Sequence, residues 1–400
     1  MNKFYIKGTL ECVSPIAVGS GESDYTDRDV LCDRFGKPYI PGTTLAGVCR
    51  HYLEQCGYDT KDLFGYIGEK SLIEDEEFIY KKSESRIIFY EGFSEGNFVK
   101  SFRDGVRIKD GVADDGSKYD YEIIESGCEF SFRIEIDSFN DSDRQMLCSM
   151  INGFNNGFIR IGHKTNRGLG KVKVKVLKYK SVESIYDLIE FNWEKVQDDF
   201  ICYNTEDNPH NVFSQKFAVR SFVMIANNAT FKKKEDKLIN AEQLKNAKEK
   251  AVIPGSSWAG VFRHHFIKIL TPVSYNNIDA FMDKMFGGTE QTALIVFDES
   301  VIEKPVFMMQ TRNAIDRFTA GASDKKLFTN ELSFGGEVQL NIYLKKSAIG
   351  ARILTDVEFE LAKNLIKLTI KDIDDGFVNI GGLGSVGGGL LKSVKVGDLL

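Results

Sequence analysis

Prolines (7) and cysteines (7) are scarce in this chain of 400 residues, of which 42% are hydrophobic and 28% charged. Such a composition is neither disordered nor collagen-like. The cysteines, at positions 12, 32, 49, 56, 128, 148 and 202, include no Cys-x-x-Cys pair, and the 5 histidines never stand at zinc-ligand spacing from them. A disulfide scaffold and a finger-type zinc site are therefore excluded, and the thiols read as buried groups of a reducing cytoplasm. No run of about 18 apolar residues occurs, and the start MNKFYIKGTLECVSP alternates like a strand, so neither a membrane span nor an export signal is expected. A cationic excess is also missing. Lys plus Arg number 52 against 58 Asp plus Glu, a net charge of -6, so any contact with nucleic acid must use local basic patches.

What the chain does have is a second copy of itself. The stretch Ile40 to Arg50 (IPGTTLAGVCR) returns as Ile253 to Arg263 (IPGSSWAGVFR), identical at 7 of 11 positions and offset by 213. Downstream, Leu63 to Gly65 is echoed by MFGG from Met285, and Arg103 to Gly127 aligns without a gap on Arg312 to Gly336. A glycine-rich loop, Ile161 to Gly170 (IGHKTNRGLG), is matched by Ile380 to Gly389 (IGGLGSVGGG). Four landmarks in one order, twice, mean a duplicated domain. The expected division is 1–178, a linker 179–214 with a helix around 182–196, and 215–400.

Each copy reads as an alternating strand (Phe4 to Val18; Phe217 to Phe231), then a Pro-Gly helix whose Thr43, Thr44, Ser256 and Ser257 hydroxyls can cap its start. Next come β segments (Ile87 to Phe93; Leu294 to Glu299) and a further strand (Cys128 to Ile136; Glu337 to Leu344). A second helix (Ser142 to Asn155; Asp356 to Leu368), the glycine loop and a last strand complete the copy. The order β-α-β-β-α-β predicts an α+β protein of two tandem ferredoxin-like domains.

In the first glycine loop, Gly162, Gly168 and Gly170 allow close backbone approach while Lys164, Asn166 and Arg167 present donors. That combination suits a phosphate, although a glycine-rich turn with no ligand reads equally well. It is not a dinucleotide fingerprint, because a strand and not a helix follows it. The second loop lacks the cations, with Ser385 and Val386 in place of Asn166 and Arg167. Arg50 and Arg263 occupy matching helix positions behind a helix N-terminus, an arrangement suited to a phosphate backbone, although a single helix arginine is more often a solvated surface charge. The lysine-rich stretch Phe231 to Lys250 is either a solvated loop or part of an RNA groove. Asp24, Asp27, Asp29 and Asp33 crowd the first loop, where carboxylates can hold Mg²⁺ or handle a proton.

These marks, IPGTTLAGVCR and IPGSSWAGVFR, RDGVRIKDGVADDGSKYDYEIIESG and GHKTNRGLGKVKV, resemble the RAMP superfamily of CRISPR effector proteins, specifically the crRNA-binding backbone subunits of type III complexes. The resemblance implies ferredoxin-like domains with a β-hairpin thumb each, supplied by the stretches Arg103 to Glu122 and Arg312 to Glu331. It also implies crRNA, target RNA and other effector subunits as partners, cytoplasmic location, no membrane, and Mg²⁺-dependent cleavage of target RNA. Asp27, Val30, Leu31 and Asp33 fit the family's pattern, which makes Asp27 the catalytic and metal-holding residue of first choice, with Asp29 its neighbour. The residues it implies for RNA binding are Thr43, Thr44, Arg50, Gly162, Lys164, Asn166, Arg167, Gly168, Ser256, Ser257 and Arg263. The alternatives are a scaffold without cleavage and, less well supported, a guide-processing endoribonuclease, whose early histidine has only His51 to represent it.

Overall fold

The computed structural model describes residues 2–19, 28–72, 78–106, 108–109, 112–113, 116, 118–205, 207–227, 233–234, 237–288, 291–346 and 353–394. Asp24 and Asp27 lie outside these residues, as do Phe231, Lys232, Glu235 and Asp236 of the lysine-rich stretch. The chain is a mixed α+β protein with mostly antiparallel sheets, grouped into two units. One comprises Met1–Phe102, Tyr121–Thr165 and Leu169–Pro209; the other comprises Arg103–Asp120, Asn166–Gly168 and His210–Leu400.

In the first unit the strands run in the order Val172–Val182, Lys3–Cys12, Glu129–Asp137, Gly92–Glu95, Tyr39–Ile40, with Ile87–Phe89 also paired to Glu129–Asp137. Alternation places Phe4, Ile6 and Leu10 with Phe130, Phe132, Ile134 and Ile136 on one face. Helices Gly42–Gln55 and Asp141–Asn155 bury Leu45, Cys49, Leu53, Leu147, Met150 and Phe154 in the same core. Each such side chain stabilises the fold by roughly 1.5–3 kcal/mol. The second helix starts on a capping box in which Asn140 and Asp143 satisfy each other's backbone amides. On the other face, Tyr5 stacks on Phe191 with ring centres 3.9 Å apart, and Trp193 meets Tyr5 and Tyr90 edge-on. This packing confines the helix expected around 182–196 to Ile185–Ile189, followed by a short 3-10 turn at Trp193–Lys195.

The second unit repeats the strand order: Leu391–Ser393, His210–Val219, Glu337–Lys345, Ser300–Glu303, Val252–Ile253, with Ile295–Phe297 also paired to Glu337–Lys345. Helices Gly255–Leu270 and Asp356–Asp374 cover its core through Trp258, Phe262, Phe266, Leu365 and Ile366. A long hairpin, Val306–Ile315 paired with Ala322–Phe334, stands apart from the main sheet. In the matching stretch of the first copy, Lys100–Gly105 pairs with Tyr119–Ile124.

Two local expectations are corrected. The first strands stop at Cys12 and Val219, because the chain then changes partners: Ile16 bridges Ile124, and Phe222 and Val223 pair with Phe334 and Ser333. Beyond the change the residues no longer alternate: Ser14 to Val18 and Phe222 to Ile225 are buried in unbroken runs. The hydroxyls of Thr43, Thr44, Ser256 and Ser257 are not caps, because Pro41 and Pro254 hold the N-cap positions without a side-chain hydrogen bond. Glycine is required after each proline by a close approach. A Cβ at Gly42 would stand 2.0 Å from the Phe89 carbonyl oxygen, and one at Gly255 2.5 Å from that of Phe297. All seven cysteines are free thiols, four buried and three half-buried. Among the described residues no helix is long and apolar enough to cross a membrane, which leaves spanning by strands unaddressed.

Candidate nucleic-acid interface

Three segments far apart in sequence meet around the stem of the aspartate loop. Gly19 bridges Val30 and the Leu31 amide donates to the Val18 carbonyl at 2.7 Å, closing the chain on either side of residues 20–27. From the stretch after Arg103, Glu122 accepts the Val30 amide at 3.0 Å, its own amide donates to the Arg28 carbonyl at 3.0 Å, and its carboxylate pairs with Lys100 at 3.2 Å. From the glycine loop, the His163 amide donates to the Ala17 carbonyl at 2.9 Å. Gly162 has φ +91, and a Cβ there would lie 2.2 Å from the same oxygen. The loop backbone therefore presses against the stem only because residue 162 has no side chain.

His163 and Lys164 both reach Tyr121: the imidazole edge-on at 6.0 Å, the ammonium 3.4 Å from the ring centre. The His163 Nδ1 lies 3.6 Å from where a Gly19 Cβ would stand, and its Nε2 is buried with no hydrogen-bond partner. Burial, with the charges of Lys164 and Arg28 next, pushes its pKa down to about 4, so the ring is neutral at physiological pH. Arg28, exposed, and Asp29, half-buried, occupy the loop's exit.

The remaining candidate residues fall elsewhere. Arg167, exposed at the end of a 3-10 turn, donates to the Tyr119 hydroxyl at 2.9 Å. Asn166 precedes it in that turn, and Gly168 follows with φ +97. Thr43 and Ser256 are exposed, and Thr44 and Ser257 half-buried, in the first turns of their helices, where the Thr44 and Ser257 amides donate to the Pro41 and Pro254 carbonyls at 3.0 and 2.9 Å. Arg50 spans one helical turn to Glu54 at 2.9 Å, and Arg263 approaches Asp283 at 3.7 Å; all four side chains are partly exposed, as surface ion pairs of small worth usually are. His51 lies within helix Gly42–Gln55. Asp33 is committed to its own turn, accepting the amides of Phe35 and Lys37 at 2.8 and 2.9 Å. Among the described residues no group of three or more His, Cys, Asp or Glu side chains is placed to hold a metal ion.

Glu122, Tyr121 and His163 are parts of this arrangement that sequence reasoning did not single out. The signal for Glu122 was present, since Glu122 and Glu331 are identical in the gap-free alignment of the two copies. His163 stood in a quoted motif but resembled a turn residue.

The model of the family described as the RAMP superfamily matches the chain twice, over residues 9–173 and 216–392. The chain belongs to the RAMP superfamily. Both RAMP repeats contain the Pro-Gly helix, the Arg…Glu…Gly stretch and the glycine loop, and they share one strand order. This RAMP protein is also similar to the "CRISPR system Cms endoribonuclease Csm3" of Methanocaldococcus jannaschii, with 22% identity over 209 residues, covering 44% of this chain and 80% of the relative.

Proposed function

We propose that this RAMP protein is a tandem backbone subunit of a type III CRISPR effector complex that binds crRNA and cleaves complementary target RNA. It would work in the cytoplasm beside other effector subunits. The twofold RAMP match and the similarity to an archaeal protein named as a Csm3 endoribonuclease support the class. In each repeat the last strand lies beside the first, the first beside the third and the third beside the second, all antiparallel, as a ferredoxin-like reading requires. Hairpin Val306–Phe334 has the form expected of a thumb: its first strand is largely exposed, and Phe318 at its tip is 99% exposed.

The observation that carries the cleavage reading is the meeting of the aspartate-loop stem, Glu122 and the glycine loop in the first repeat. Nucleic acid seated there would find the cations Lys164 and Arg28 within reach of its phosphates, beside a loop rich in carboxylates. Of the carboxylates on the described side, Glu122 is engaged by Val30 and Lys100, and Asp33 by its turn. The resemblance to the family's pattern points to Asp27 as the residue that would hold a divalent cation, with Asp29 nearby. Mg²⁺ there would neutralise charge developing on the phosphate oxygens during in-line attack. Asp27 would hold the ion or orient the attacking 2′-hydroxyl, Lys164 and Arg28 would hold the backbone, and the neutral His163 would line the loop without adding charge.

The test is Asp27→Ala in the complex purified with its guide. Metal-dependent cleavage of complementary RNA should disappear while guide binding, target binding and assembly persist, and Asp29→Ala should have a smaller effect. An unchanged cleavage pattern and rate in Asp27→Ala would leave the scaffold reading as the better one.

A further inference from the structure

The second repeat reproduces the backbone of this site and replaces its chemistry. Around the loop stem three hydrogen-bonding features correspond. Leu31 to Val18 becomes Leu244 to Ile225 at 2.8 Å, and Glu122 to Arg28 becomes Glu331 to Ala241 at 3.0 Å. The turn held by Asp33 is held by Asn246, which accepts the amides of Lys248 and Lys250 at 3.0 and 3.1 Å. The offset of 213 set by the two prolines thus holds back to Arg28 and Ala241, and the residue before each is Asp27 in one copy and Asn240 in the other. Asn240 is neutral, and its side chain is committed: its Oδ1 accepts the Thr329 amide at 2.7 Å, while its own amide donates to the Thr329 carbonyl at 2.8 Å.

The glycine loops match as closely. The His163 amide on the Ala17 carbonyl becomes the Gly382 amide on the Met224 carbonyl at 2.8 Å. The closing bond from Ile161 to Gly170, 2.9 Å, becomes Ile380 to Gly389 at 3.0 Å. Lys164 and Leu383, the next residues, share the left-handed conformation at φ 54 and 62. Along this matched backbone His163 is replaced by Gly382, Lys164 by Leu383, Asn166 by Ser385 and Arg167 by Val386. Leu383 packs against the apolar cluster of Phe222, Met224 and Leu332. Two of the replacements, Lys164 by Leu383 and Arg167 by Val386, remove the cations that a phosphate needs.

We infer that the second repeat has given up phosphodiester cleavage and the phosphate contacts of its glycine loop, so that each chain cuts target RNA through its first repeat alone. Its stem and glycine loop are then structural, and the tandem works as one cutting module joined to one non-cutting module. This rests on the proposed role of Asp27.

The guide-loaded complex of the full chain tests it, with end-labelled complementary RNA and products mapped by length. Asp27→Ala should remove every cut, and Asn240→Ala should leave the product pattern and rate unchanged. Cuts that survive Asp27→Ala and vanish on adding Asn240→Ala would overturn the inference while leaving the role of Asp27 intact. A full wild-type pattern in Asp27→Ala would instead remove the role of Asp27, and the inference with it. A binding measurement independent of cleavage supplies the second arm. Lys164→Ala should lower the salt dependence of guide-RNA binding by about one unit of slope, and Leu383→Ala should leave it unchanged. Equal losses from both variants would overturn the assignment of the second loop as structural.

Discussion

The carboxylate of Glu122 accepts the Val30 amide at 3.0 Å, joining residues 92 positions apart. Through this bond the strand Tyr119–Ile124 holds the exit of the aspartate loop, and through Lys100 the same carboxylate is neutralised at a site that is largely buried.

Glu122→Ala should destabilise the chain by about 2 kcal/mol, because it leaves a buried amide and a partly buried ammonium without their acceptor. Glu122→Gln, which keeps an acceptor for Val30, should cost less. Urea denaturation of the two variants distinguishes them, and equal losses would show that the amide bond is not what the carboxylate contributes.

Two glycines of one helix should respond oppositely to alanine. A Cβ at Gly42 would overlap the Phe89 carbonyl, whereas one at Gly47 meets nothing within 4 Å. Gly42→Ala is expected to cost about 3 kcal/mol or more through the backbone shift it forces, and Gly47→Ala to stabilise by about 0.5–1 kcal/mol through helix propensity. Thermal unfolding of the pair measures the contrast.

Acid should weaken the fold through His163. Above its ordinary pKa of 6.5 the ring is neutral folded or unfolded and contributes no pH dependence. Below that value the unfolded chain binds a proton that the folded chain refuses until about pH 4, so stability falls across this window. His163→Gln should flatten the fall in denaturation midpoint between pH 7 and pH 5 relative to the wild type. A variant whose midpoint drops just as steeply would assign the acid sensitivity to other groups.

For guide binding, Arg50→Ala and Arg167→Ala should each weaken association across RNA sequences and lower the salt slope by about one. Both side chains already have partners, Glu54 and Tyr119, that a phosphate must displace. An Arg167→Ala protein with untouched affinity and slope would reduce the glycine loop to a turn.

The duplication, the helix starts and the alternating strands were all readable from local patterns. A helix that must begin against a carbonyl needs glycine in one place, a half-buried strand needs period two, and a left-handed loop needs glycines at fixed spacing, so each leaves its mark within a few residues. Where the marks misled, the cause was distance along the chain. The expected strands ran on past Cys12 and Val219 because nothing in an apolar stretch says which sheet it will join. The hydroxyls after Pro41 and Pro254 had the composition of caps, but the prolines took that position. Glu122 at Val30, His163 at Ala17 and Asn240 at Thr329 are pairings of residues roughly ninety or more positions apart. Such bonds obey no sequence period, and only the packed chain determines them. One of them commits Asn240, the residue that the sequence offset matches to Asp27, to Thr329.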